Sequence, residues 1–259
     1  MQFIKYFFFL MSVFVWSQST IETNFIDKNS IQVSEYVSID NFDQEYFIIG
    51  NEFTLKARYG NLSYSNVQLG ELSSVDVLNP LKINLFYQDF NTAVILDNRL
   101  AEITKVYFNQ LQPQRIISHI STAYNNNIWL FNENTRQLEL FDFISLKTIL
   151  TSLPITGKVK SLDSDYNNCW VLTDQFIYCI NYFGVVVRKI KNMGFSSLKQ
   201  VRGNLVLQRK NLLYFLPKNK EETIPIKLPE LLINQFFVTN ETLYIYDHEF
   251  LHRYQLITD

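Results

Sequence analysis

The sequence predicts an all-β protein in which six four-stranded sheets close into a ring. Three observations predict this fold class. Large aromatic residues are abundant, with 22 Phe and 15 Tyr in 259 residues, and they favour the half-buried, pleated surface of a sheet. A short apolar strand recurs at a nearly constant interval along the chain. Turn-forming Asn or Asp residues stand shortly before these strands, as expected at a corner between two strands.

The repeat is carried by six apolar segments centred near Phe47, Ile83, Ile128, Cys169, Leu205 and Leu243. The intervals between them are 36, 45, 41, 36 and 38 residues, and their mean of about 39 is typical of a four-stranded propeller blade. The third unit divides into four strands, RIISHISTAY, NIWLFNE, RQLELFDF and KTILTSLP, and the fourth and fifth units divide similarly. Pro225 falls in the last strand of the fifth unit, where a missing amide donor is tolerated at an outer edge.

The sixth unit ends one strand short. It supplies the strands INQFFVTN, TLYIYD and FLHRYQLI, whereas the strand SIQVSEYVSI at residues 30–39 precedes the first unit and has no assignment. We therefore predict that this N-terminal strand completes the last blade and closes the ring, because closure removes exposed sheet edges. A large β-sandwich is the alternative fold, and it does not explain a uniform period.

The pattern over residues 30–259 resembles that of β-propeller repeat proteins. The resemblance implies a six-bladed β-propeller with broad loop surfaces on a rigid scaffold. It is a resemblance of pattern, because the paired Gly and Trp of kelch repeats, the Gly-His and Trp-Asp of WD40 repeats, the Tyr-Trp-Thr-Asp repeat and the sialidase Asp box are all absent from the sequence.

Residues 1–17 are predicted to be a signal peptide. Lys5 precedes the apolar run YFFFLMSVFVW at residues 6–16, which has the length of a secretory signal core and is too short to span a bilayer. We expect cleavage between Ser17 and Gln18. An uncleaved N-terminal anchor is the alternative.

Cleavage would leave an N-terminal lead-in at residues 18–29 and a single propeller domain at residues 30–259. No later stretch approaches 18 apolar residues, so no membrane insertion is expected after cleavage. The Phe-rich signal is similar to those of Bacteroidota envelope proteins, which implies a periplasmic or extracellular protein, associated with the outer membrane through a partner if at all.

Charge and glycine content argue against two classes of ligand. The chain has 23 basic and 25 acidic residues and a formal net charge of −2, so no basic field exists to hold nucleic acid or an anionic membrane. None of the seven glycines falls in a dinucleotide-binding or P-loop pattern. We therefore expect neither a nucleic-acid partner nor a nucleotide cofactor.

His248, Glu249 and His252 match the zinc-hydrolase motif H-E-x-x-H, which requires a helix so that both histidines can reach one metal ion. The hairpin interpretation instead places His248 in a turn and His252 in a strand, roughly 13 Å apart. The seven residues after His252 contain neither His nor Glu as a third ligand. We expect no zinc site and interpret His119, on an inner strand, as a hydrogen-bonded core histidine.

Acidic and amide side chains suggest a second possible metal site. Asp163 and Asp165 precede Asn167 and Asn168 in the segment SLDSDYNN. Similarity to six-bladed propeller lactonases and phosphotriesterases would imply calcium in the central channel, with candidate ligands Asp43, Asp76, Asp163 and Asn204. Such residues commonly serve only their own turns, so we predict no catalytic residue, metal or cofactor.

Cys169 and Cys179 are the only cysteines, and they lie symmetrically about Asp174. A hairpin centred there would set them roughly opposite each other. A cross-strand disulfide and two buried free thiols both remain open.

The sequence thus favours an exported propeller without catalytic activity that binds a protein partner in a cell-envelope or secretion assembly. Loops on a rigid scaffold are frequent recognition sites. Two alternatives remain. One is a calcium-dependent, lactonase-like hydrolase, and the other is a glycan-binding module in which sugars stack on surface aromatics such as Tyr64, Phe90, Tyr166 and Tyr182.

Overall fold

The structure, a computed structural model, describes residues 20–40, 42–58 and 60–258. These residues form six four-stranded antiparallel sheets arranged in a ring, so the predicted six-bladed β-propeller is confirmed. The predicted signal peptide at residues 1–17 lies outside the described residues.

The strands follow one another blade by blade, after the first strand β1 (Glu22–Ser30). Blade 1 contains β2 (Glu35–Ile39), β3 (Glu45–Ile49), β4 (Glu52–Ala57) and β5 (Gly60–Tyr64). Blade 2 contains β6 (Ser74–Asp76), β7 (Ile83–Tyr87), β8 (Thr92–Leu96) and β9 (Glu102–Tyr107). Blade 3 contains β10 (Ile117–Thr122), β11 (Asn127–Asn132), β12 (Gln137–Asp142) and β13 (Lys147–Thr151).

Blade 4 contains β14 (Val159–Ser164), β15 (Asn168–Thr173), β16 (Phe176–Asn181) and β17 (Val186–Lys191). Blade 5 contains β18 (Ser197–Val201), β19 (Asn204–Arg209), β20 (Leu212–Leu216) and β21 (Ile224–Pro225). Blade 6 contains β22 (Gln235–Thr239), β23 (Thr242–Tyr246) and β24 (Phe250–Ile257), with β1 at its outer edge. Two 3₁₀ helices, Val67–Leu69 and Phe108–Gln110, lie in the connections that follow blades 1 and 2.

The N-terminus does close the ring, but the predicted identity of the closing strand is wrong. β1 pairs with β24, and the register runs from Glu22 opposite Ile257 to Ser30 opposite Phe250. Most of the closing strand therefore lies in the predicted lead-in at residues 18–29, and residues 35–39 form the inner strand of blade 1 instead. The strand ETNFIDKNS is mostly exposed at an outer edge, so it lacks the apolar pattern by which the other strands were recognised.

The apolar core lies between neighbouring blades. The second strand of every blade is buried along much of its length, and β7 is buried at every residue. Trp129 and Phe53, in second and third strands, are among the largest fully buried side chains. The outer strands are more exposed, and Pro225 lies in the outermost strand of blade 5, as predicted. Burial is therefore greatest in the second and third strands, whereas first strands such as β6 and β18 are only partly buried.

Strand direction divides the turns between two faces of the ring. The inner turns join the first and second strands of a blade, and the outer turns join its third and fourth strands. Because consecutive strands are antiparallel, both kinds of turn lie on one face, which we call the mouth face. The connections between blades and the turns between second and third strands lie on the opposite face.

Candidate functional site at the mouth of the central channel

A cavity of about 530 Å³ occupies the centre of the ring, and all six inner strands contribute to its wall. It reaches the mouth face, because inner-turn residues such as Asp40, Phe42, Pro80 and Arg202 also line it. Side chains at this end of the channel are therefore accessible to a ligand or partner.

Acidic side chains outnumber basic ones along the cavity. Of the described lining residues, the acidic ones are Glu35, Asp40, Asp76 and Asp163, and the basic ones are Lys199 and Arg202. Arg202 also forms an ion pair with the exposed Glu241, with 3.1 Å between Nη1 and Oε1. The channel is therefore net acidic.

Asp76, at the end of β6, ties blade 2 to blade 3. Its Oδ2 accepts hydrogen bonds from the backbone N–H of Thr122 at 2.7 Å and the hydroxyl of Ser121 at 2.8 Å. Its Oδ1 accepts from the backbone N–H of Leu78 at 2.8 Å. Both carboxylate oxygens thus hold backbone or side-chain donors of the channel wall.

The hydrogen-bonded chain continues into blades 4 and 5. Ser121 Oγ lies 2.6 Å from Ser164 Oγ, and Gln200 Nε2 donates to the carbonyl of Ser164 at 3.1 Å. The backbone N–H of Gln200 donates to Asp163 Oδ2 at 2.6 Å. Inner-strand polar groups therefore join four consecutive blades beneath the mouth.

Burial disfavours the ionised form of two channel carboxyls. It raises the pKa of Asp163 to about 6, against the opposing effects of Lys199 and the Gln200 N–H, while Asp76 adds to the rise. Burial also raises the pKa of Glu35, and Lys199 opposes this shift. For both carboxyls, burial therefore outweighs the stabilisation of the ionised form by Lys199.

The four candidate calcium ligands are not brought together as a set. Asp76 and Asp163 line the same cavity. Asp43 lies in the inner turn of blade 1, whereas Asn204 starts β19 and its Oδ1 accepts from the Lys218 N–H at 2.9 Å. Among residues 20–40, 42–58 and 60–258, no group of three His, Cys, Asp or Glu residues could hold a metal ion.

The H-E-x-x-H motif adopts the hairpin arrangement. His248 lies between β23 and β24, and His252 lies within β24. His252 Nε2 is 2.7 Å from Asp247 Oδ2. The strand interpretation is confirmed, because the motif is not on a helix.

His119 has the partner expected of a hydrogen-bonded histidine. Its Nδ1 lies 2.9 Å from Ser118 Oγ, and burial lowers the pKa of the partly buried ring. The imidazole is therefore biased towards its neutral form.

The two cysteines are buried free thiols, which settles the alternative left open by the sequence. The two-residue turn after β15 sets Cys169 opposite Ile180 and Cys179 opposite Trp170. This one-residue offset directs the two sulfurs to opposite faces of the sheet. Burial raises the pKa of Cys179 to about 12.

Exposed apolar side chains stand on the inner turns of blades 1 to 4. We call them the apolar arc: Phe42, Leu81, Tyr124 and Tyr166, exposed by 83%, 62%, 60% and 41%. Hydrogen bonds connect three of these turns. Tyr166 donates to the carbonyl of Leu78 at 3.4 Å, and Lys82 donates to the carbonyl of Asn125 at 3.1 Å.

The apolar surface extends outward on blades 3 and 4. The outer turns there carry a second exposed group, the outer patch, made of Ile144, Leu146, Tyr182, Phe183 and Val185. In blade 3 the inner and outer turns are joined by a 3.0 Å hydrogen bond from the Phe143 N–H to the Asn126 carbonyl. The arc and the patch therefore lie side by side on the mouth face.

Of the four aromatics singled out from the sequence, Tyr166 and Tyr182 lie on the mouth face. Tyr64 lies in the outer strand of blade 1, where its hydroxyl donates to Glu102 at 2.6 Å, and Phe90 lies on the opposite face. Phe42, Tyr124 and Phe183 also lie on the mouth face but were not predicted from the sequence. Their common signal is an aromatic residue within a short turn beside Asn, Asp or Gly.

The mouth face has a different character on blades 5 and 6. There the inner turns carry Arg202 and Glu241, and the outer turn of blade 5 carries charged, exposed residues. We call this the charged arc: Arg202, Lys218, Lys220, Glu221, Glu222 and Glu241.

No protein-family model and no curated protein sequence matches this chain. Its fold is similar to that of a virginiamycin B lyase from Staphylococcus aureus, with a TM-score of 0.60 and 13% identity over 89% of this chain and 99% of the lyase. It is also similar to a chain of a mitotic checkpoint complex, with a TM-score of 0.63 and 12% identity over 86% of this chain and 74% of the other.

A third similar structure is BamB from Moraxella catarrhalis, with a TM-score of 0.50 and 12% identity over 87% of this chain and 74% of BamB. At these identities the similarities show the propeller fold alone. In the part of the chain that the structure describes, no helix has the length and apolarity needed to cross a membrane.

Proposed function

We propose that this protein is an exported, non-catalytic β-propeller that binds a protein partner as a platform in a cell-envelope or secretion assembly. The apolar arc and the outer patch are the observation that carries the proposal. Together they place nine exposed apolar side chains on blades 1 to 4 of one face, four of them Phe or Tyr residues on neighbouring blades 3 and 4. Exposed apolar side chains rich in aromatics on one face are typical of protein interfaces.

The positions of the channel carboxylates favour an interaction role over hydrolysis. Asp76 and Asp163 accept hydrogen bonds from neighbouring blades, which accounts for both as parts of the scaffold. The similarity to a chain of a mitotic checkpoint complex adds that a propeller of this shape occurs within a protein assembly. The envelope location rests on the predicted signal peptide.

Export is tested separately from binding. Residues 1–30 fused to a reporter that is active only outside the cytoplasm should give activity, and N-terminal sequencing of the full-length protein should begin at Gln18. An inactive fusion would contradict export, and an intact N-terminus would support an uncleaved anchor instead.

Partner binding is tested by crosslinking in native cells, purification, and identification of the captured protein by mass spectrometry. The partner is then purified, and its affinity is measured with wild type, Tyr124→Ser/Tyr166→Ser and the control Arg202→Ser/Glu241→Ser. We expect a loss of at least tenfold for the first variant and less than twofold for the control.

Equal effects of the two variants would contradict binding through the apolar arc. Absence of any specific partner would remove the platform proposal. Retention on polysaccharide without a partner would replace it with glycan binding, and a hydrolytic activity abolished by chelation would replace it with the enzyme alternative.

A further inference from the structure

We propose that the partner inserts a lysine or arginine side chain into the mouth of the channel while apolar residues flanking that side chain pack on the apolar arc. This inference rests on the proposed function and specifies the chemistry of the partner segment. Its basis is the combination of an apolar rim with a net acidic cavity in one place.

Charge complementarity selects a cation. The wall offers Glu35, Asp76 and Asp163 from three different inner strands, and Asp40 stands at the mouth. Of the two basic residues among the described lining residues, Lys199 lies in an inner strand. The other, Arg202, lies in a turn and pairs with Glu241. An anionic side chain would meet repulsion here, whereas an ammonium or guanidinium group would add the missing positive charge.

Two of the carboxylates, Asp76 and Asp163, lie close enough to the mouth for a side chain to reach them, whereas Glu35, the first residue of β2, lies deeper in the channel and adds to its negative charge. Asp76 is the last residue of β6, and Asp163 is the last but one of β14. At about 3.3 Å per residue, each therefore lies within roughly two residue lengths of the inner turns. The cavity of about 530 Å³ has room for a long side chain at this depth.

The apolar rim selects a side chain over a free cation. Lysine and arginine place an apolar stem on apolar surface while the charged group reaches a polar environment. Phe42, Leu78 and Pro80 line the entrance and supply that surface, and Tyr166 is hydrogen-bonded to the carbonyl of Leu78. A hydrated ion gains nothing from these contacts.

The test uses three blocked peptides and the full mature chain. The probes are Ac-Ala-Phe-Arg-Leu-Ala-NH₂, the same peptide with Gln in place of Arg, and Ac-Ala-Ala-Arg-Ala-Ala-NH₂. Binding is followed by isothermal titration or by NMR chemical shifts. We expect the first peptide to bind at least tenfold more tightly than either of the others.

Channel variants locate the binding. Asp163→Asn/Glu35→Gln should abolish the preference for Arg over Gln, whereas the control Asp89→Asn/Glu52→Gln, on exposed residues of the opposite face, should preserve it. Lys199→Gln should act in the other direction and strengthen binding of the arginine peptide severalfold. This variant keeps the test decisive if the carboxyl variants fold poorly.

Several outcomes would overturn the inference. Equal binding of the Arg and Gln peptides would exclude a cation site, and equal binding of the two arginine peptides would exclude the contribution of the apolar rim. A preference that survives Asp163→Asn/Glu35→Gln, or that Lys199→Gln weakens, would place the cation elsewhere.

The native partner separates this inference from the proposed function. Capture that requires Tyr124 and Tyr166 but is unchanged by Asp163→Asn/Glu35→Gln would overturn channel insertion and leave the platform intact. If the peptides bind as expected but no native partner is found, the platform proposal is overturned. The preference of the channel for an arginine side chain then stands on its own.

Discussion

The apolar arc and the charged arc lie on the same face, and their inner turns are equivalent in position but differ in what they expose. On blade 4 the inner turn presents Tyr166, whereas on blades 5 and 6 the corresponding turns present Arg202 and Glu241. The scaffold therefore accepts either kind of side chain at these positions. The exposed aromatics on one side are consequently a feature of the surface and not a requirement of the fold.

The hydrogen bonds of the turns support this distinction. In blade 4, Asp165 Oδ1 accepts from the backbone N–H groups of Asn167 and Asn168 at 2.8 and 2.7 Å. In blade 5, Arg202 has a φ of 50° and is followed by Gly203. Asp, Asn and Gly residues thus define the turns, and the hydroxyl of Tyr166 makes only a long hydrogen bond at 3.4 Å.

Charge introduced into the apolar arc should produce the largest effect. Tyr124→Arg/Tyr166→Arg is expected to lower the affinity for the native partner at least 100-fold, about 3 kcal/mol. The new arginines lose solvent when the partner binds, and they repel an inserted basic side chain. The free energy of unfolding should change by less than about 0.5 kcal/mol at these exposed positions. Titration calorimetry and urea unfolding measure the two effects, and equal losses in both would show that the tyrosines serve the fold.

Asp76→Ala tests the hydrogen-bonded base beneath the apolar arc. We expect the free energy of unfolding to fall by about 3 kcal/mol, because the Thr122 and Leu78 N–H groups and the Ser121 hydroxyl lose their acceptor. The control Asp97→Ala removes a carboxylate that accepts two backbone N–H groups within one turn.

Asp97→Ala should lower the free energy of unfolding by only about 1 kcal/mol, because its turn joins strands of a single blade. Urea unfolding of both variants decides the comparison. Equal losses would mean that Asp76 is an ordinary turn residue and not a link between blades.

Asp163→Asn should change stability in a pH-dependent way. Since burial raises the pKa of Asp163 in the folded state to about 6 from an ordinary value of 3.8, its favourable contribution is full below pH 3.8 and is lost as the pH rises through 6. The amide of the variant remains neutral and can still accept from the Gln200 N–H.

Relative to wild type, the Asp163→Asn substitution should therefore have little effect at pH 4 and should stabilise the protein by about 2–3 kcal/mol at pH 8. Urea unfolding at the two pH values measures the difference. If the difference in the free energy of unfolding between the variant and wild type is the same at pH 4 and pH 8, the Asp163 carboxyl titrates normally.

The charged arc should give the smallest effects. The Arg202 and Glu241 side chains are 62% and 57% exposed, so their ion pair is largely screened by solvent. Arg202→Ser should change the free energy of unfolding by less than about 0.5 kcal/mol and partner affinity by less than twofold. A larger loss of affinity would extend the binding surface across the whole mouth face.

The sequence was most informative where a strand is buried on both faces. The apolar segments near Ile83 and Ile128 identified second strands, because close packing between blades requires nearly continuous apolar side chains there. The closing strand β1 escaped recognition, since an outer-edge strand is solvated and has no such constraint. Whether Cys169 and Cys179 lie opposite each other depends on one residue in the length of the turn between their strands. Their symmetry about Asp174 does not determine that length.

The site was only partly predictable. Asp76 and Asp163 were recognised as channel candidates, but their hydrogen bonds to neighbouring blades join residues 37 to 46 positions apart, which no local pattern encodes. The apolar arc combines residues from four blades. Each of its members alone looks like any other aromatic or leucine in an aromatic-rich chain, so only the shared face identifies them.

A photocrosslinking amino acid placed singly at four positions tests most directly where the partner binds. The positions are 124 and 166 in the apolar arc, 241 in the charged arc, and 67 on the opposite face, where Val67 is 89% exposed. In native cells we expect one partner to be crosslinked from positions 124 and 166 and not from 67 or 241. Crosslinking to that partner from position 67 alone, or equally from all four, would contradict binding at the mouth of the channel.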